Sequence, residues 1–283
     1  MSKVRIVTDS TADIPQELVN KYGIIVVPLK VTIGNQVYRD GVDISTAEII
    51  KRLEKDHGFL PATSQPSPGE FVAVYEKLIQ KGEYVISIHL SGKMSGTVQS
   101  AQTAKTMTDS RDIYIVDSKS ASMGLGLIVI AAAIAAKEGK PVREILSIVK
   151  EKVERSFVLF LVDTLDYLEK GGRIGKASAL LGALLKIKPV LTIDEDGQII
   201  PIEKVRGKIR AIERIAQIVA DRTDSSRYYN YAVLHGNDYS GFVKLKEELE
   251  KVLRDSHSMS AEIGPVILSH TGPGLTGVAI CPD

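Results

Sequence analysis

The sequence has no tryptophan and a single cysteine, Cys281, near its end. One thiol cannot close an internal disulfide, so a secreted disulfide scaffold is excluded and a reducing compartment is expected. Charge of one sign is missing too: 36 Lys and Arg against 35 Asp and Glu leave a formal net charge of +1. A bulk binder of nucleic acid needs a concentrated basic surface, and this balance argues against one. No apolar run reaches the roughly 20 residues that span a bilayer. The longest, Met123–Ala136, fits a buried helix. The opening MSKVRIVTDS turns polar too soon for a signal peptide and reads as a first strand. Repeats, low-complexity tracts and flexible linkers are also absent. A cytoplasmic protein with at most peripheral membrane contact is expected. What is present is ordinary globular composition, 44% hydrophobic and 25% charged over 283 residues, enough for two domains.

Strand and helix signals alternate along the first half. Val4–Val7 reads as a strand, and Asp13, Pro15 and Gln16 as the capped start of a helix that stops at Gly23. Ile24–Leu29 reads as a strand and Val31–Arg39 as a hairpin around Gly34-Asn35. Ser45 with Glu48, and Ser67 with Glu70, are capping boxes for two further helices. Strand Tyr84–Leu90, helix Gly96–Met107, strand Ile113–Val116 and helix Met123–Ala136 follow. This order predicts βαβ units and a parallel sheet covered on both faces. The pattern changes near Ser156. Phe157–Val162 is apolar, Val190–Ile193 and Ile199–Ile202 flank a turn at Asp194–Gly197, and helices are expected at Lys208–Asp221 and Phe242–Arg254. Strands Tyr231–His235 and Glu262–Leu268 are expected to close the chain. Hairpins with segregated helices suggest an α+β second domain, which places the domains at 1–155 and 156–283.

Three polar segments interrupt the apolar pattern: Thr63–Pro68, Ser91–Thr97 and Ser269–Gly274. The second falls between a strand and a helix, on the edge of a doubly wound sheet where ligands bind. Ser95 and Gly96 there either open an anion-binding helix start or simply cap the helix. Two motifs fail. Gly272, Gly274 and Gly277 have dinucleotide spacing, but too little chain follows for a βαβ unit, and Gly92-Lys93 is followed by Met94 where a phosphate loop needs Ser or Thr. The five histidines lack metal-ligand spacing, so no metal and no cofactor is expected. Ser95 and His270 permit a serine hydrolase or thioesterase reading, but no Asp or Glu is placed as orienter and the nucleophile-elbow pattern is missing. Asp9 either faces a ligand cleft or closes a local turn.

These segments, taken in order, resemble a known family. Thr8-Asp9-Ser10, Thr63-Ser64-Gln65-Pro66, Ser95-Gly96-Thr97, Val116-Asp117-Ser118, Leu168–Ile174, Lys188-Pro189, Lys204-Val205-Arg206 and Ile263-Gly264-Pro265 with His270–Gly274 are similar to the DegV family over essentially the full chain. The resemblance implies a three-layer α/β/α parallel-sheet domain and a two-layer α/β domain with a mixed six-stranded sheet. It implies a non-enzymatic carrier with a long-chain fatty acid buried between the domains; a monomer is expected. The partner it implies is an ATP-dependent fatty acid kinase subunit, which phosphorylates the bound carboxylate to an acyl phosphate for phospholipid metabolism. The family's carboxylate-binding threonine, serine and histidine fall on Thr63, Ser95 and His270, with the Gly96 N–H at the helix start as a further donor. One departure is His89, within Ser87–Ser91, where relatives carry a small residue.

The residues agree with such a ligand. A buried carboxylate needs hydrogen-bond donors, and an acyl chain needs an apolar tunnel. Leu125, Leu127, Ile128, Leu159, Leu161, Leu180, Leu181 and Leu184 are candidate walls, though each taken singly reads more readily as ordinary core. A basic cluster of Lys170, Arg173, Lys176, Lys204, Arg206, Lys208 and Arg210 is either a solvated face or a docking surface. Arg173 and Arg206 are the candidates for contact with the kinase.

Overall fold

The computed structural model describes residues 3–55, 60–181, 187–254 and 256–283. Strands β1 (Val4–Asp9), β2 (Ile25–Val27), β6 (Tyr84–His89) and β7 (Ile113–Asp117) form a parallel sheet in the order β2-β1-β6-β7. Both faces of such a sheet are covered, which is why β1 and β6 are almost continuously buried, polar Thr8, Asp9, Ser87 and His89 included. A small antiparallel sheet, β4-β3-β5, joins β3 (Lys30–Ile33), β4 (Gln36–Arg39) and β5 (Ala62–Ser64). The third sheet is six-stranded and mixed, in the order β10-β9-β8-β13-β11-β12. It contains β8 (Phe157–Leu161), β9 (Ile187–Ile193), β10 (Ile199–Arg206), β11 (Tyr229–Gly236), β12 (His257–Glu262) and β13 (Leu275–Pro282). Parallel pairing of β11 with β12 is the exception in an otherwise antiparallel sheet.

Helices layer these sheets. After α1 (Gln16–Tyr22) and α2 (Thr46–Lys55), α3 (Pro68–Ile79) and α4 (Thr97–Thr108) cover one face of the parallel sheet. They pack Phe71, Tyr75, Ala101 and Ala104 on Val7, Val85 and Ile113. Helix α5 (Met123–Lys137) lies on the other face, against β1 and β6, and its far side meets β11 and β13. A helix between two sheets has no solvent face, and α5 is apolar nearly all round. Helix α6 (Val142–Arg155) follows and packs on α5, and α7 (Asp166–Lys170) is a short turn after β8. Helices α8 (Lys208–Arg222) and α9 (Tyr239–Val252) cover the outer face of the six-stranded sheet, and α10 (Pro265–Thr271) packs back on α2, β3 and β5. Among the described residues, no helix is long and apolar enough to cross a membrane.

Two expectations are corrected. Glu262–Leu268 is not a strand: β12 ends at Glu262 and the apolar residues beyond it belong to α10. Pro265 has no N–H for a ladder but suits the first turn of a helix, and it sits there. Asp13 does not cap α1, whose cap position is Pro15. It sits with φ 50 after a 3-10 turn at Ser10–Ala12, and its carboxylate points elsewhere. Both capping boxes are present, at Ser45–Glu48 and Ser67–Glu70.

Candidate ligand-binding site

A cavity opens between the three-stranded sheet, α10 and the inner face of the six-stranded sheet. Its walls from the six-stranded sheet are all apolar: Val158 and Phe160 on β8, Ile193 on β9, Ile199 on β10, Leu234 on β11 and Leu275 on β13. Polar groups come from other elements. Thr63 and Ser64 lie on β5, Gln65 just beyond, Ser95 before α4, Ser122 before α5, Arg173 after α7, and His270 and Thr271 on α10.

Thr63 and His270 meet directly, with Oγ1 and Nε2 at 2.7 Å. The other ring nitrogen, Nδ1, is buried without a hydrogen-bond partner among the described residues. It faces Gly171, where a Cβ would fall 2.4 Å away. Burial first, and then the nearby Arg173 charge, push the imidazole pKa down to about 4, so the ring is neutral near pH 7. Arg173 is itself anchored: Nε donates to the Met94 carbonyl at 3.1 Å and Nη1 to the Gly171 carbonyl at 2.7 Å. A guanidinium stays charged, so among the described residues the cavity has a fixed positive group, Arg173, beside a neutral imidazole and the hydroxyls of Thr63 and Ser95.

Ser95 lines the cavity but does not cap α4. Its Oγ lies 2.9 Å from Thr97 Oγ1, and the cap position is Gly96. Gly96 is not itself a lining residue; a Cβ there would meet Gln65 Nε2 at 2.9 Å, so the glycine makes room for that side chain. Nothing supports the hydrolase reading. The histidine bonds Thr63 rather than Ser95, and among the described residues no carboxylate orients its Nδ1.

Asp9 closes a local turn. It accepts N–H groups from Thr11 and Leu90, each at 3.1 Å, and does not line the cavity. His89, the departure from the family pattern, is fully buried. Its Nδ1 is 3.0 Å from Asp9 Oδ2 and its Nε2 is 2.7 Å from Ser87 Oγ, which accepts from the Tyr75 hydroxyl at 2.8 Å. That network absorbs the polarity of the extra imidazole. Arg206 is exposed at the end of β10 and is not a lining residue, whereas Arg173, read as a docking residue, is one. Lys176 pairs with Asp194, and Lys208 with Asp163 and Asp238, so part of the basic cluster is neutralised locally.

The family model that matches residues 3–283 is described as "Uncharacterised protein, DegV family". The chain belongs to the DegV family. A DegV domain-containing protein of Caldanaerobacter subterraneus is 38% identical over 278 residues, covering 98% of each chain. A solved structure of a DegV family protein from Thermus thermophilus, described by its fatty acid binding, superposes with a TM-score of 0.94 at 37% identity, covering 99% of this chain and 100% of the other. The structure of DegV, a fatty acid binding protein from Bacillus subtilis, matches with a TM-score of 0.91 at 35% identity over 100% of both chains.

In this DegV chain the candidate walls need revision. Leu159 and Leu161 point to the opposite face of β8, into the core under α8 and α9, while their neighbours Val158 and Phe160 face the cavity. Successive strand residues point to opposite faces, so a register misread by one residue inverts the assignment. Leu125 and Leu127 are core and Leu180 is buried, none of them lining the cavity; Ile128 is likewise absent from its walls. Leu181 is 38% exposed. Leu184 lies outside the described residues. Sequence reasoning missed Ser122 and Gln65, although Gln65 stood inside the Thr63–Pro66 motif.

Proposed function

We propose that this DegV protein binds a long-chain fatty acid, with its carboxylate at Thr63, Ser95 and His270, and presents it to an ATP-dependent fatty acid kinase subunit for conversion to an acyl phosphate. The observation that carries the reading is the one-sided polarity of the cavity. The six-stranded sheet contributes only apolar side chains, while Thr63, Ser95, Arg173 and His270 come from other elements. That arrangement suits a molecule with one anionic head and a long apolar tail. Each buried methylene contributes roughly 0.8 kcal/mol, and an anion gains charge-assisted hydrogen bonds from Arg173 and the neighbouring groups. The fatty acids named for the two solved DegV relatives support the same ligand class. Arg173 joins the head-group site in this reading. Arg206, exposed, remains the docking candidate, and its reversal to Glu should weaken coupling to the kinase while leaving fatty acid affinity unchanged.

Native mass spectrometry of the purified protein, followed by organic extraction, tests the ligand. A stoichiometric adduct that extracts as free fatty acid is expected. An apo mass that stays unshifted after incubation with C14–C20 fatty acids would overturn it. For the second half, the loaded protein is mixed with a fatty acid kinase subunit and ATP. Acyl phosphate formation is expected, and no ATP consumption above that of the kinase alone would remove the presenting role.

A further inference from the structure

Helix α10 carries His270 but does little to hold its own start. Its cap position is Gly264, which has no side chain, and Pro265 follows. The missing partners come from the distant N-terminal part of the chain. Asp13 Oδ1 accepts the Gly264 N–H at 3.0 Å, and Asp40 Oδ1 accepts the Val266 N–H at 3.1 Å. The buried Thr46 hydroxyl donates to the Ile263 carbonyl at 2.8 Å. Asp13 also reaches a second wall, because the Ser122 hydroxyl donates to its Oδ2 at 2.6 Å. Ile263, Val266, Ser122 and His270 all line the cavity.

The backbone marks the same place. Asp13 and Ser122 have φ 50 and 52, two of five non-glycine residues with positive φ among those described. Such strain persists where surrounding structure imposes it and gathers at sites that need a fixed geometry. Here two strained residues are hydrogen-bonded to each other at the edge of the cavity. We propose that Asp13 and Asp40 are positioning residues of the ligand site: by holding the start of α10, and through Asp13 also Ser122, they set His270 against Thr63 and close the α10 wall over the acyl chain.

Helix α10 has only seven residues, so a displaced first turn is carried to His270 with little chance to relax. A carboxylate also complements the positive end of the helix. Burial raises both acids above the ordinary carboxylate range, Asp40 to about 6. What each supplies to α10 is an acceptor for a backbone N–H. An amide oxygen supplies the same acceptor, and a methyl group does not.

The proposal rests on the fatty acid reading only for its affinity arm, and the test keeps the two apart. In the ligand-free protein, Asp13→Ala is expected to shift the His270 ring resonances in 1H–15N spectra, while Asp13→Asn leaves them near their wild-type positions. In titrations with palmitate against a fluorescent fatty acid probe, Asp13→Ala should bind about tenfold more weakly, as for the loss of one hydrogen bond's worth of order, and Asp13→Asn within about threefold of wild type. A folded Asp13→Ala protein with unshifted His270 resonances and wild-type affinity would overturn the proposal. If Asp13→Ala does not fold, Asp40→Ala removes the Val266 acceptor together with the partner of the Ser10 hydroxyl, and carries the same two expectations and the same refutation. A wild-type protein that binds no palmitate sinks the ligand reading, and the resonance shift then decides the positioning role alone.

Discussion

Thr63 and His270 stand 207 residues apart in sequence and share a 2.7 Å hydrogen bond. One belongs to the three-stranded sheet and the other to α10, so the contact ties distant parts of the chain at the wall of the cavity. If this pair receives a carboxylate, removing its hydroxyl weakens binding with little change in fold. Thr63→Val keeps the volume and is expected to lower fatty acid affinity about 10- to 50-fold, the worth of a hydrogen bond to a charged group. Ser95→Ala should act in the same direction. Fluorescent-probe displacement reads both, and wild-type affinity in both variants would remove the carboxylate from this end.

Acidity separates His270 from the carboxylates around α10. The His270 pKa falls from its ordinary 6.5 to about 4 in the folded protein. Between those values the unfolded chain binds the proton and the folded one does not, so this contribution to stability is full above 6.5 and is lost as pH falls. Asp40 runs the other way. Its pKa rises from 3.8 to about 6, chiefly through burial, so the folded state takes up the proton first and gains stability as pH falls through 6. Asp13, also raised, acts with Asp40, while Asp9 pushes both up. The effects oppose each other in the wild type. In His270→Gln only the acids remain, and going from pH 7 to pH 5 should stabilise this variant relative to wild type by about 2 kcal/mol. Urea denaturation at the two pH values measures it, and parallel curves would contradict the placement of His270.

Much of this architecture was legible in local pattern. The capping residues Ser45 and Ser67, the turn at Gly34-Asn35 and the hairpin at Asp194–Gly197 are short-range signals whose chemistry acts within a few residues. The segments that hold Thr63, Ser95 and His270 stood out because polar residues interrupted apolar runs, and the resemblance to the DegV family picked out these three within them. What failed depended on distant partners. Asp13 looked like a helix cap because its true partners, Ser122 and Gly264, lie far along the chain. Central strand β13 went unread because every residue of it is buried, leaving no alternation to detect. Arg173 looked like surface because nothing nearby in sequence announces that it folds over Met94.

Gly171 shows why the Leu168–Ile174 stretch needs a small residue at its centre. A Cβ there would fall 2.4 Å from His270 Nδ1 and 2.9 Å from the Tyr167 carbonyl oxygen. Backbone cannot yield easily, so the imidazole moves. Gly171→Ala is expected to displace His270 from Thr63, shift its ring resonances and weaken fatty acid binding at least about tenfold, with destabilisation of about 1–3 kcal/mol from overpacking. A Gly171→Ala protein with wild-type affinity and unmoved His270 signals would show that the ring has slack the geometry denies.

Strand β8 allows a paired test of which face holds the ligand. Phe160 faces the cavity, and Leu159, next to it, faces the core beneath α8 and α9. Both are buried, so each truncation to Ala should destabilise the ligand-free protein by similar amounts, about 3–5 kcal/mol for Phe160 and 2–5 kcal/mol for Leu159. Their effects on ligand choice should differ. Loss of the Phe160 ring opens space that a longer or bulkier acyl chain can fill, and each further methylene buried regains roughly 0.8 kcal/mol. Phe160→Ala should therefore favour longer chains when a C14–C20 mixture competes for the protein. Leu159→Ala opens its space in the core beneath α8 and α9, away from the cavity, and it should keep the wild-type preference. Mass spectrometry of the extracted ligands reads the ratio directly. A change of preference in Leu159→Ala, or none in Phe160→Ala, would place the acyl chain on the other face of the strand.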